Sequence, residues 1–161
     1  MSIGHGLYRR ADAEKAGPVD YDLLEIAHRA RLATLCLASA LVRHELTDAN
    51  PEAIDVALPK GSHRPSVVPP VAWHMFDPRT FDIGRSMIPV DSETFIGIYS
   101  AERSIVDAFR MRHLEGDLPY VALRRWLRRS GSRPAALYDM TRHFPQARKS
   151  LKQALEVLLH D

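Results

Sequence analysis

A single cysteine, Cys36, is all that the 161 residues hold, so no internal disulfide can form and the chain fits a reducing, cytoplasmic compartment. It lies in Leu35-Cys-Leu-Ala-Ser-Ala-Leu-Val42, apolar enough to read as a small buried hydrophobe. No run of about eighteen apolar residues occurs, and the start lacks a charged segment leading into an apolar one, so neither a membrane span nor a leader is expected. Charge of one sign is not in excess either. With a formal net charge of +2 and 26% charged residues, a claim of nucleic-acid binding has to rest on a local patch. Lysine is scarce: only Lys15, Lys60, Lys149 and Lys152 occur, and the remaining basic residues are arginines, whose planar fork suits bidentate phosphate contacts.

Other absences bear on chemistry. No two of the eight His residues stand at the spacing of an H-x-x-x-H clip, and a lone Cys excludes C-x-x-C, so no metal and no cofactor is expected. Lys60-Gly-Ser62 lacks the earlier glycine of a phosphate loop, and its lysine precedes the glycine. The G-x-S-x-G elbow of serine hydrolases is missing. A nuclease of the restriction type needs metal-binding acids and an acid two residues before a catalytic Lys. Asp55, Asp91 and Glu93 could supply acids for Mg²⁺, yet Ala13, Leu58, Ala147 and Ser150 stand two positions before the four lysines. The expectation is a protein that is not an enzyme.

What is present fits an α+β domain, with a small, mostly antiparallel sheet packed by several helices and a helical C-terminal third. The 45% hydrophobic content is enough for one core. Residues 1–17 read as a short strand, Gly4-His-Gly-Leu-Tyr-Arg-Arg10, and a polar connector; residues 18–161 read as the domain. Asp20 or Asp22 caps a predicted helix to about Arg31, and a second helix is predicted from Thr34 to about Glu45. The pair imitates a helix-turn-helix without an exposed row of base-reading residues. Strands are predicted over Ala53–Leu58 and Val71–Phe76, and a hairpin over Ser86–Tyr99 with Pro89 at an edge. Ser100 then caps a helix whose Ile105, Ala108, Phe109 and Arg112 form one stripe, while Arg103 and Asp107 stand at pairing distance, i and i+4. Helices beginning at Pro119, Pro134 and Pro145 follow, the last with Leu151, Ala154, Leu155, Leu158 and Leu159 in a clean stripe. The strongest local charge feature is the helix from Pro119 to Arg129, with Arg124, Arg125, Arg128 and Arg129 on adjacent outer rows, extended by Arg133, and Trp126 the only aromatic among them.

Four segments together resemble one family. Gly4-His-Gly-Leu-Tyr-Arg-Arg10, Leu35–Leu41 with His44-Glu-Leu-Thr-Asp48, Ile54-Asp-Val-Ala-Leu-Pro-Lys-Gly61, and Ile98-Tyr-Ser-Ala-Glu-Arg-Ser-Ile-Val-Asp-Ala-Phe-Arg110 are similar, in order and spacing, to AbiEi-type antitoxins and transcriptional regulators. The resemblance implies the C-terminal antitoxin domain of an AbiE-type toxin–antitoxin pair, opposing a nucleotidyltransferase-like toxin. It also implies operon repression by a longer form, because only the last wing strand of the DNA-binding winged helix is matched. Arg9, Arg10, Arg124, Arg125, Arg128 and Arg129 are the candidate contacts to nucleic acid or partner. Two other readings are a divergent or degenerate nuclease using Asp55, Asp91 or Glu93, and an interaction module dimerising through Trp73, Phe76 and Phe81.

Overall fold

The computed structural model describes residues 18–160; the expected wing-like strand, with Arg9 and Arg10, lies outside them. Helix α1 (Tyr21–Arg29) starts where predicted, because the Asp20 carboxylate accepts from the Leu23 N–H at 3.1 Å and so satisfies an otherwise orphaned helix donor. The predicted second helix is divided. Its first two residues form strand β1 (Thr34–Leu35), and only then does α2 (Leu37–Arg43) begin. A strand between the two helices removes the helix-turn-helix arrangement.

Strands β2 (Ile54–Pro59), β3 (Val71–Phe76), β4 (Arg85–Pro89) and β5 (Phe95–Tyr99) complete one sheet in the order β3-β2-β1-β5-β4. The sheet is mixed, which corrects the expectation of a mostly antiparallel one. β1 runs antiparallel to β2 and β4 antiparallel to β5, but β1–β5 and β2–β3 are parallel. A strand as short as β1 has no readable alternation, yet it holds the centre of the sheet. Residues 60–70 form no strand or helix, and they return the chain to the starting end of β2 without a hairpin, as a parallel pair requires. Pro89 does sit on an edge strand, where its missing N–H costs no ladder bond.

Alternation along the strands sorts the core into two layers. Val56, Leu58, Ile96 and Ile98 are buried with Leu23 and Ile26 of α1. Ala57 and Tyr99 belong to the larger cluster on the other face, where helix α3 (Ala101–Arg110) is central. Ser100 caps α3 through its hydroxyl, which accepts from the Arg103 N–H at 3.0 Å. The predicted stripe understates the helix: every residue from Arg103 to Phe109 is buried, polar ones included. The helix also ends sooner than expected. Met111 leaves helical geometry, and a single turn α4 (Arg112–Glu115) carries Arg112 outward to solvent.

Around α3 pack α5 (Leu118–Leu127), α6 (Pro134–Met140) and α7 (Pro145–Leu159). Proline occupies the first turn of each, where its lack of an N–H is harmless. Of the predicted α7 stripe, Leu151, Ala154 and Leu155 are buried, but Leu159 is 56% exposed because the helix outruns the core. Gly97 marks a close approach: a β-carbon there would lie 2.7 Å from both the Arg85 guanidinium and the Thr34 hydroxyl, which bond each other at 2.7 Å across the sheet.

Candidate partner or nucleic-acid interface

The C-terminal end of α2 supplies the platform for the arginine face. Glu45 takes a left-handed conformation (φ 60°), Leu46 N–H donates to Leu41 C=O and Glu45 N–H to Val42 C=O, the bonding of a Schellman stop. Leu46 is thereby buried and Asp48 is carried out to solvent. Helix α5 lies against this corner. Arg125 forms a two-pronged pair with Asp48, at 2.6 and 3.1 Å, and Arg129 donates to the His44 carbonyl, placing a cation at the negative end of α2. The Arg125 guanidinium, hydrogen-bonded to it, holds the Asp48 carboxyl below the usual range, and Asp48 in turn pushes Arg125 up.

Arg124 and Arg128 are exposed and make no side-chain hydrogen bond or ion pair among the described residues. The four predicted arginines therefore divide into two that anchor α5 and two that are free. Arg128 and Arg129 lie just beyond the helix proper, held by bonds to the Arg125 and Trp126 carbonyls. Arg43, adjacent to His44 in sequence, is exposed as well; sequence reading missed it because no basic neighbour on α2 draws attention to it. Trp126 is 3% exposed and donates to Glu102 at 3.0 Å, so it is part of the packing of α5 on α3, and no aromatic platform stands among the arginines.

The residues behind the family resemblance interlock. The His44 ring bonds the Tyr99 carbonyl at 2.9 Å, the Tyr99 hydroxyl donates to the Phe81 carbonyl at 2.7 Å, Asp48 meets Arg125, and Glu102 meets Trp126. Each of these bonds joins segments far apart in the chain, so His44, Asp48, Tyr99 and Glu102 each have a structural task.

The acids named for a nuclease reading are scattered in role. Asp55 on β2 contacts His74 on the parallel neighbour β3 at 3.0 Å, both half-buried. Half-burial pushes the nearby Glu115 carboxyl up, and Asp55 adds to that shift. Asp91 instead accepts from the Glu93 and Thr94 N–H groups at 2.9 and 2.7 Å, which closes the β4–β5 hairpin turn and lowers its carboxyl. Glu93 is exposed beside it. Among the described residues no three His, Cys, Asp or Glu side chains are placed to hold a metal. The proposed dimerisation patch is corrected in two of its three members, since Phe76 and Phe81 are each 4% exposed and stack near Tyr99 in the main core; Trp73 alone is half-exposed. Cys36 is buried as predicted, and burial pushes its thiol up, away from the thiolate that redox or nucleophilic chemistry uses. No helix among the described residues is long and apolar enough to cross a membrane. Set beside known proteins, the chain matches no family model and no curated protein.

Proposed function

We propose that the chain is a regulatory binding domain that opposes a nucleotidyltransferase-like toxin, with the α2–α5 corner as its contact surface. One observation carries the choice of surface: Arg125 and Arg129 are tied down to Asp48 and His44 while Arg124 and Arg128 remain free on the same short stretch. Free cations held on a fixed helix and its capping turn have already lost part of the freedom that binding would otherwise remove, and Arg forks suit carboxylates and phosphates alike. The identity of the partner as a toxin rests on the resemblance to AbiEi-type antitoxins, and control by occupancy requires no reacting group in this chain.

The test is capture on the immobilised chain from lysate of its source, with and without nuclease, against a variant with Arg124→Glu and Arg128→Glu. A nucleotidyltransferase-like protein retained after nuclease and lost in the variant supports the proposal. Recovery of nucleic acid alone transfers the surface to phosphate binding; two to four phosphates would then give a log–log salt slope of about −2 to −4. Equal capture by both proteins overturns the assignment of the surface.

A further inference from the structure

A second basic site is built on α3 itself, from residues other than the α5 row. Its foundation is Asp107, fully buried, which accepts from Arg103 Nε at 2.9 Å and from Arg110 Nε at 2.7 Å. Burial pushes this carboxyl up, against the pull of the two guanidiniums. One carboxylate facing two guanidiniums leaves at least one positive charge uncompensated. Arg103 directs Nη1 to the Thr80 and Ile83 carbonyls at 2.8 and 2.9 Å, and its Nη2 is buried with no partner among the described residues.

Arg110 reaches the surface. Its side chain is 21% exposed, its Nε is engaged by Asp107, and its two terminal amino groups have no hydrogen-bond partner among the described residues. The guanidinium is held over the Phe76 ring at 4.5 Å and near Phe144 at 5.7 Å, so ion pair and rings together fix its direction. It forms part of a cleft of about 400 Å³, with Thr80, His143, Phe144, Gln146, Asp77 and Arg79 around it. The one acid of the cleft, Asp77, is already matched by Arg79 at 3.0 Å. The start of the 15-residue α7 also opens here: Phe144 at its N-cap offers no capping side chain, so the Gln146 N–H lies at the positive end of the helix without a side-chain acceptor. Helix N-termini and Arg forks both favour oxyanions.

We infer that this cleft binds the phosphate of a small phosphomonoester, with Arg110 as the fork and the α7 N-terminus as the second donor. A planar carboxylate would be satisfied by the fork alone, whereas a tetrahedral dianion uses donors arriving from two elements. The volume also exceeds what free phosphate fills and lies in the range of ordinary small-ligand sites.

The experiment is an NMR titration of the full chain with AMP, inorganic phosphate and adenosine, following the Gln146 amide and the Arg110 Nε–H. AMP should shift both signals with a Kd of about 1 mM or tighter, and adenosine should not. Gln146→Glu adds an anion at the cleft mouth, outside the core, and should weaken AMP binding at least about tenfold with no fall in melting temperature, since an acid in the first turn of α7 suits the helix dipole. Arg110→Lys keeps the charge and removes the fork, and should weaken binding too. No shift of Gln146 at ~10 mM AMP, or an equal shift in the Gln146→Glu protein, overturns the site. Inorganic phosphate binding as tightly as AMP overturns the monoester assignment.

Discussion

Two arginine groups, one on α3 and one on α5 and the turn after it, put the same residue type to opposite use. On α3, Arg103 and Arg110 enclose a buried aspartate. On α5 and the turn beyond it, Arg124, Arg125, Arg128 and Arg129 face solvent or reach its edge, and the one carboxylate they meet, Asp48, is itself exposed. The consequences differ in scale. A fully desolvated carboxylate between two cations is a structural dependency, because removing it strands the fully buried Arg103 without water. An exposed pair is screened by solvent and salt. The buried group organises the fold, and in the exposed group only Arg124 and Arg128 make no side-chain bond among the described residues.

The sharpest way to break this comparison is Asp107→Ala. With Arg103 at 0% exposure and its partner gone, the loss should be about 3–5 kcal/mol, read as a large fall in the denaturation midpoint. A change under 1 kcal/mol would mean that water or a displaced backbone carbonyl reaches Arg103. Gly97→Val follows at about 1–3 kcal/mol, because its side chain would displace the Arg85–Thr34 contact from the sheet face. A wild-type melting temperature would show that Arg85 has a second resting place.

The double replacement Arg103→Met with Asp107→Leu tests whether the buried pair is needed for stability as such. It should cost less than Asp107→Ala alone, since the fully buried cation is removed with its partner and Arg110, which also loses Asp107, reaches solvent; a larger loss would assign the pair a role in holding the Thr80–Ile83 loop through the Arg103 bonds. On the exposed side, Arg124→Glu with Arg128→Glu should leave the melting temperature unchanged while abolishing capture of the partner. A fall in stability would place those side chains in the packing. The smallest effect belongs to Asp91→Asn. The folded carboxyl is held below its ordinary value by the Glu93 and Thr94 N–H groups, so its stabilisation is present above the unfolded carboxylate range near about pH 4 and is lost as pH falls through the folded value. The variant should melt slightly below the parent at neutral pH, with the gap closing in acid; a gap constant with pH would assign the turn to geometry alone.

Much of the architecture was legible because capping and periodicity act over a few residues. Asp20, Ser100 and the three helix-starting prolines mark their helices, and alternation marks β2, β3 and the hairpin strands as strands, with Val71, Trp73 and Met75 on one face of β3. The two-residue β1 was invisible: Thr34 and Leu35 gain strand character only from the neighbours that accept them, and the helical pattern of Leu35–Val42 absorbs them. The parallel pairings were hidden for the same reason, since direction in a sheet depends on how the 60–70 connection runs through space. At the candidate surface, the sequence marked four arginines on one helix but not that two would be anchored by Asp48 and the His44 carbonyl, residues about eighty positions away. That Trp126, the one aromatic among the arginines, is covered by Glu102 and α3 is likewise a matter of distant segments.

What the sequence determined by itself is therefore local: where helices start, which strand residues alternate, that Arg103 and Asp107 stand one helical turn apart, and that basic residues gather between Arg124 and Arg133. Only the tertiary structure decided the dielectric around each charge. It buried Asp107 with two guanidiniums, opened Arg110 to a cleft with the start of α7, and left Arg124 and Arg128 in water. The reason is physical: the energy of an ion depends on how much solvent surrounds it and what else is within a few ångströms, and both are set by segments distant in the chain.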